Sequence, residues 1–265
     1  MKTKFQSKNL SSEAKAGSLS RASVILNAIA RGSRKGSLLT EIIAREALPR
    51  TTVVRTLDAL IELGWVLKDS QSNRFNLGHD LAALGYSAIA RNPLAGIAET
   101  ELSLLAMKLN QVVYLAIRTG LDMVCIGKYE SDSQIQIGIG DVGLRGPFGM
   151  TQSCMGMMAC MPAEDVYKII NANIARYHRV EGFDETGFMQ TVKNAFKNGF
   201  GTYDNIILDR TTSGIGVAIV DPSGYPIAGI GTTYLTGWLT EEQRQNSILE
   251  MKKSAAKIQE LLFKL

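Results

Sequence analysis

The sequence predicts an α+β protein with a helical N-terminal module and a larger C-terminal module of helices and strands. Apolar residues recur at helical spacing over residues 19–29 and 53–61, whereas residues 112–118 and 214–221 resemble buried strands. The charge is also divided: residues 1–80 hold 13 Lys and Arg against 7 Asp and Glu, and the remainder holds 16 against 18. A basic first third on a slightly acidic remainder predicts that only the N-terminal module faces a polyanion.

Composition excludes several other classes of protein. A chain of 265 residues with 45% hydrophobic and 20% charged residues has the composition of a globular protein. The two uncharged stretches, residues 146–163 and 222–240, contain proline, glycine and hydroxyl residues, so neither resembles a membrane span. The first 18 residues lack the apolar core of a secretory signal. We therefore expect a cytoplasmic protein without membrane contact.

Cysteine and histidine give little support for a metal site. The three cysteines show no CxxC spacing, and the chain has only two histidines. We expect no metal and no cofactor.

The sequence of the N-terminal module predicts a winged helix-turn-helix. A first helix begins near Leu19 and ends at the basic loop RGSRKGS; Ser37 can cap a second helix, and Pro49 opens a third after a short turn. Residues 65–78, WVLKDSQSNRFNLG, form two short strand-like runs around a polar turn, which is typical of a hairpin. Three helices followed by a hairpin make this fold.

The third helix has a polar face suited to DNA. Arg50, Thr51 and Arg55 point away from the apolar face, and the positive end of the helix dipole adds to their attraction for phosphate. The plain alternative is a solvated helix whose arginines bind nothing specific. The charge division and the hairpin favour DNA binding. The predicted DNA contacts are Arg34, Lys35, Arg50, Thr51, Thr52, Arg55, Ser72, Asn73 and Arg74.

The stretch LPRTTVVRTLDALIELGWVLKDSQSNRFNLG, residues 48–78, resembles the signature of the IclR-type transcriptional regulators, the isocitrate lyase regulator family. The likeness extends through the chain after about residue 18. It implies a winged helix-turn-helix at residues 18–78 and a linker helix at residues 79–92 that helps pair two chains. It also implies a GAF-like effector-binding domain with an antiparallel sheet at residues 93–265.

Strand and helix patterns in the C-terminal module agree with that implied domain. Residues 184–199 indicate a helix, and Thr240 with Gln243 forms a capping box for a final helix to about Lys264. Further strands are predicted at residues 122–130, 133–140, 200–208 and 225–235. Gly138, Gly140 and Gly143 fit the GxGxxG pattern, but LRGPF follows where that pattern needs a helix, so we reject nucleotide binding.

The most informative C-terminal segment is PFGMTQSCMGMMACMP, residues 147–162. Thr151 or Ser153 can cap a helix here, so hydroxyls and free amides around Thr151–Cys154 would form a pocket floor that favours a carboxylate. Five of the ten methionines also lie in this segment. The alternative is a Met-rich core helix, which we prefer for Met157, Met158 and Met161.

The resemblance implies that this segment lines the effector site, although Met155 stands where the family commonly has lysine. It also implies an acidic residue, matched here by Asp209, and an opposite wall from the strands that follow. The predicted effector contacts are Phe148, Met150, Thr151, Gln152, Ser153, Cys154, Asp209, Ser213, Ile215, Val217, Ile230 and Thr232.

The sequence therefore predicts a ligand-responsive, sequence-specific DNA-binding regulator, and we favour a repressor. Its partners would be a double-stranded operator, a small organic acid, aromatic acids included, and a second copy of the chain, with dimers able to pair into tetramers. The alternative is a metabolite-binding module or enzyme whose basic head contacts protein. Catalysis would need Cys154 or Ser153 as nucleophile and His178 as base, and no acid partner is evident. We expect no enzymatic activity.

Overall fold

The computed structural model describes residues 17–33, 35–46, 48–91, 93–132, 137, 140–204 and 211–264. The chain divides into two compact units, which we call the head, residues 1–91, and the body, residues 92–265. Within the described parts, no helix is long and apolar enough to cross a membrane.

The head is a winged helix-turn-helix, as predicted. Its core holds side chains from every element except α4, among them Ile25, Ile42, Leu57 and Phe75. The strands β1 and β2 pair antiparallel and form the wing. The elements are α1 (Ser18–Ala30), α2 (Leu39–Glu46), α3 (Arg50–Glu62), β1 (Val66–Lys68), β2 (Phe75–Leu77) and α4 (His79–Ala90).

Ser37 does not cap α2, contrary to the sequence prediction. Its backbone instead pairs with Phe75 through hydrogen bonds of 3.0 and 2.8 Å. Its hydroxyl is buried and accepts a 3.1 Å hydrogen bond from Arg45. The Glu41 carboxylate accepts from the Leu38 amide at 3.0 Å, which is the capping contact at this end of the helix. The α1–α2 loop is therefore tied to the wing.

The body is built on a six-stranded sheet of order β5-β4-β3-β8-β7-β6, in which every neighbouring pair is antiparallel. Thr240 and Gln243 form the predicted capping box of the last helix. The elements are α5 (Leu94–Leu109), β3 (Val112–Thr119), β4 (Asp122–Tyr129), β5 (Arg145–Pro147), α6 (Gln152–Met158), α7 (Ala163–Tyr177), α8 (Glu185–Asn198), β6 (Gly201–Asp204), β7 (Thr212–Val220), β8 (Pro226–Leu235) and α9 (Glu241–Phe263). Much of the predicted strand at residues 133–140 lies outside the described residues.

The two faces of the sheet carry separate apolar clusters. Helices α5 and α9 cover one face, and their cluster includes Leu115, Ile215 and Ile230. Helix α6 covers the other face, where Cys154 and its methionines pack with side chains of α7 and α8. Because strand residues alternate between faces, each residue of β7 and β8 belongs to one cluster only.

Glycines make the α6 face of the sheet flat. A Cβ at Gly216 would lie 1.7 Å from the Gln152 carbonyl oxygen, and one at Gly229 would lie 2.2 Å from that of Ser153. Gly201, Gly214 and Gly231 meet α6 side-chain atoms as closely, at 2.2 to 2.4 Å. The backbone of α6 therefore rests directly on the sheet backbone, which only glycine permits.

Candidate nucleic-acid interface and effector site

The N-terminal half of α3 exposes Arg50, Thr51 and Arg55, and Thr52 is half-buried. The Thr52 carbonyl accepts a 2.8 Å hydrogen bond from the Thr56 hydroxyl. Thr51 and Arg55 lie on the side of the helix opposite the buried Val53, Leu57 and Leu60, and Arg50 is exposed as the first residue of the helix. Such a surface, cationic and rich in donors, can contact phosphates and base edges.

Two further predicted contacts lie in the α1–α2 loop. Lys35 is exposed there, whereas Arg34 lies outside the described residues. An exposed lysine in such a loop can reach a phosphate but has no fixed geometry for reading a base.

The wing turn is ordered by its own hydrogen bonds. The Asp69 carboxylate accepts from the amides of Gln71 and Ser72, each at 2.8 Å, and Asn73 takes a left-handed conformation with φ of 54°. Ser72 and Asn73 are exposed, as a DNA contact requires.

The Arg74 guanidinium is directed into the head, although we predicted it as a DNA contact. Its Nη1 donates a 2.8 Å hydrogen bond to the Gly36 carbonyl oxygen, and it lies 3.9 Å from the Glu41 carboxylate. Arg74 therefore joins the wing to the α1–α2 loop. This contact joins residues 38 positions apart in sequence, so the local pattern could not reveal it.

In the body, the structure brings together six of the predicted effector residues around the start of α6. Phe148, Met150 and Cys154 are buried in one cluster, whereas Thr151 and Gln152 are half-exposed at its edge. The sixth, Ser153, is buried inside α6 against Gly231 of β8. It therefore does not cap the helix.

Thr151 directly precedes α6, but its hydroxyl donates to the Cys154 sulfur at 3.2 Å and makes no capping bond. Burial raises the pKa of the Cys154 thiol, and hydrogen bonding from the Gly149 backbone and from the Thr151 hydroxyl opposes that rise.

Two tyrosines that sequence reasoning missed hold the loop before α6. The Tyr177 hydroxyl donates to the Phe148 carbonyl oxygen, and the Tyr203 hydroxyl donates to that of Gly149 at 2.5 Å. Both rings are buried. They lie in α7 and β6, far from the loop in sequence, and no local pattern marks them as its partners.

The five predicted contacts in β7 and β8 lie on the other face of the sheet. Ile215, Val217 and Ile230 pack in the cluster under α5 and α9. By the two-residue alternation of a strand, Ser213 and Thr232 share that face. The Thr232 hydroxyl donates to Gln111 Oε1 at 2.7 Å, and Gln111 lies between α5 and β3. These side chains therefore cannot form the opposite wall. The remaining prediction, Asp209, lies outside the described residues.

Besides the glycines that meet the backbone of α6, two strand residues, Gly214 and Thr233, meet the Gln152 side chain. The Gln152 side chain passes over Gly214, and its Nε2 donates a 3.2 Å hydrogen bond to the Thr233 hydroxyl. Thr233 was missed because the alternation of a strand shows which residues share a face but not which face α6 covers.

The catalytic arrangement considered from the sequence is absent from the described residues. Cys154 is fully buried and its raised pKa keeps it protonated at neutral pH, so it is a poor nucleophile. His178 is exposed and pairs with Glu185 at 2.9 Å. No group of His, Cys, Asp and Glu side chains in the described residues could hold a metal ion.

Two family models match this chain. The helix-turn-helix model of the IclR family covers residues 18–70, and the C-terminal model of the bacterial transcriptional regulator IclR covers residues 86–260. The chain belongs to the IclR family of transcriptional regulators. It is a DNA-binding regulator and not an enzyme.

Similar proteins agree with this family. The transcriptional repressor AllR of Salmonella typhimurium is 24% identical over 229 residues, which span 86% of this chain and 83% of the relative. An IclR regulator from Alicyclobacillus acidocaldarius has the same fold, with a TM-score of 0.75 and 21% identity over 92% of this chain and 98% of its own. An IclR homologue from Microbacterium hydrocarbonoxydans, crystallised with 4-hydroxybenzoate, aligns with a TM-score of 0.71 and 16% identity over 94% of this chain and 100% of its own.

Proposed function

We propose that this IclR-family regulator is a homodimeric repressor whose affinity for a specific operator falls when a small organic acid binds the body. The recognition surface is Arg50, Thr51 and Arg55 of α3. The acid binds at the edge formed by Thr151, Gln152 and the neighbouring strand β8. A ligand that fits one arrangement of the dimer better than the other shifts the spacing of the two heads and so changes operator affinity. Because its target is chromosomal DNA, the regulator would act in the cytoplasm.

The observation that carries the effector proposal is the group of uncharged donors at the edge of an apolar cluster. Thr151 and Gln152 are half-exposed, and the Gln152 carboxamide donates to the Thr233 hydroxyl. The second N–H of Gln152 and the O–H of Thr233 lie together beside Thr151. Phe148 and Met150 begin the apolar cluster beside them. Such a site suits a ligand with a polar acid group and an apolar body. The 4-hydroxybenzoate bound to the Microbacterium homologue has this chemistry.

We expect 4-hydroxybenzoate or another small carboxylate to raise the melting temperature of the protein, while the methyl ester of the same acid does not. At a ligand concentration one hundred times Kd, the stabilisation would be about 2.7 kcal/mol. The measurement is a thermal-shift screen over short-chain and aromatic acids, followed by operator titrations with and without each stabilising acid. The stabilising acid should weaken operator binding.

Matched variants locate the site. Replacing Gln152 by Ala removes its carboxamide and should raise the Kd for the acid about fivefold. Replacing Ser213 by Ala on the opposite face of the sheet should leave this Kd unchanged. Stabilisation by a sugar or an amine, with no response to any acid, would contradict the ligand class. Equal effects of the two variants would contradict the placement.

The dimer proposal rests on helix α4. Its sequence is HDLAALGYSAIA, yet Leu84 is 56% exposed and Tyr86 is 73% exposed. Beside it, α1 also exposes Leu19, at 84%, next to a groove lined by Trp65 and Leu77. Apolar surface of this extent is typical of a protein interface. The family resemblance assigns this segment the pairing of two chains.

Replacing Leu84 by Glu is expected to raise the dimer dissociation constant about tenfold or more, because a charge at an apolar interface must be desolvated. Sedimentation equilibrium measures the change. Leu104→Glu on α5 is the matched control, since Leu104 is 57% exposed and lies in the body. A wild-type protein that is monomeric at micromolar concentration, or equal dissociation by both variants, would contradict α4 as the interface.

A further inference from the structure

The hydroxyl of Tyr114, in β3, is buried without a hydrogen-bond partner among the residues that the structure describes. Burial raises the pKa of this phenol, so it stays protonated at neutral pH and is able to donate. The Gly140 backbone opposes that rise, but an amide N–H is a donor and cannot accept the phenolic proton. A buried donor that lacks an acceptor destabilises a protein, so this hydroxyl calls for an acceptor from outside the described chain.

Tyr114 lies on the face of the sheet that α6 covers. Its cross-strand partner in β8 is Gly231, where an added Cβ would lie 2.4 Å from the Ser153 Oγ of α6. The residues before and after it in β3 pack in the cluster on the other face, as strand alternation requires.

The phenol is also a neighbour of the proposed effector edge. Thr233, which accepts the hydrogen bond of Gln152, follows Gly231 by two residues in β8. It is therefore the diagonal neighbour of Tyr114 on the same face, with about 7 Å between such side chains. A ligand held by Gln152 can extend over β3 towards the phenol.

The other side of Tyr114 carries negative charge. Lys128 is its cross-strand partner in β4, and the ammonium pairs with Glu130 at 2.8 Å and with Asp141 at 3.3 Å. These three groups together carry one net negative charge. A ligand carboxylate would be repelled there, whereas a ligand hydroxyl would not. A hydroxyl accepts from the phenol and can also donate to a carboxylate, which no carbonyl or ether oxygen can do.

We infer that the effector is a hydroxy acid, and that Tyr114 donates to its hydroxyl while the carboxylate lies at Thr151 and Gln152. This assignment rests on the proposed binding of an acid at the start of α6. It makes Tyr114 the residue by which the regulator distinguishes a hydroxylated acid from the parent acid that lacks the hydroxyl.

The test compares acids that differ by one hydroxyl, on the full-length protein. The probes are benzoate with 4-hydroxybenzoate and hexanoate with 6-hydroxyhexanoate, and isothermal titration calorimetry measures each Kd. The wild type should bind the hydroxylated member of a pair about three- to tenfold more tightly than the parent acid. In Tyr114→Phe, which keeps the ring and loses the donor, the ratio of the two Kd values should fall to about one. Tyr129→Phe is the matched control and should keep the wild-type ratio, because Tyr129 packs against the cluster on the opposite face.

A second measurement needs no ligand. Because the hydroxyl has no acceptor among the described residues, ligand-free Tyr114→Phe should melt at the wild-type temperature or above it. A lower melting temperature would mean that the hydroxyl has a partner within the protein, and the assignment would be overturned.

The role of Tyr114 is equally overturned if the wild type binds the hydroxylated acids no more tightly than their parents. The same holds if Tyr114→Phe keeps the wild-type ratio of Kd values, or if Tyr129→Phe loses it. In each of these cases an acid still binds, so the proposed effector site stands. A wild type that binds none of the four acids would contradict the acid proposal itself, and the role of Tyr114 with it.

Discussion

Replacing Arg55 by Ala is expected to weaken binding to a selected operator by about 1–3 kcal/mol, which is about 5- to 150-fold. The physical reason is the position of Arg55 one turn after Thr51 on the exposed side of α3, where a planar guanidinium can bond two acceptors of guanine in the major groove. No acidic partner of Arg55 is present within the described residues, so its charge is available to DNA.

Titrations on the selected duplex and on a scrambled duplex, each over a range of salt, separate two roles of Arg55. Loss of affinity for the selected duplex alone would mean base reading. An equal loss on both duplexes, with a salt slope lower by about one, would mean a phosphate contact. Glu62→Ala, on an exposed position later in the same helix, is the control and should not weaken binding. Unchanged affinity of Arg55→Ala on both duplexes would remove Arg55 from the interface.

The helices and the hairpin of the head could be predicted because each of them is specified by a local sequence pattern. The apolar spacing of Val53, Leu57 and Leu60 indicates the buried face of α3, and the polar turn between two short apolar runs indicates the wing. The roles of Ser37 and Arg74 were not predictable. Ser37 was expected to cap α2 but pairs with Phe75 and bonds Arg45. Arg74 was expected to contact DNA but bonds Gly36.

The part of the candidate effector site in the segment that begins α6 could be predicted from the sequence, whereas the strand residues that face this segment could not. Thr151 and Gln152 lie in one continuous segment, and the expected helix begins directly after Thr151. For β7 and β8, alternation indicated that Ile215 and Val217 share a face, but not that α5 and α9 cover it. The glycines were the missing signal, because a helix can approach a sheet closely only on the face without Cβ atoms.

The second large expected effect is a loss of stability on substitution of Gly216, one of these glycines. We expect Gly216→Ala to destabilise the body by about 3 kcal/mol, because the added Cβ would lie 1.7 Å from the Gln152 carbonyl oxygen and 2.4 Å from its carbon. Both atoms belong to the backbone of α6, so no side-chain rotation can relieve the contact. The start of α6 must move away from β7, which would also break the bond between Gln152 and Thr233.

Chemical denaturation with a probe in the body measures the loss, and a carboxylate titration measures the effect on the proposed site. Gly146→Ala is the matched control: Gly146 also lies in a strand, but no atom lies within 4 Å of an added Cβ, so stability should change little. If Gly216→Ala were as stable as Gly146→Ala, α6 would not rest on the sheet backbone. If it were destabilised but bound the acid unchanged, the ligand would not depend on the position of α6, and the edge at Thr151 and Gln152 would not be the effector site.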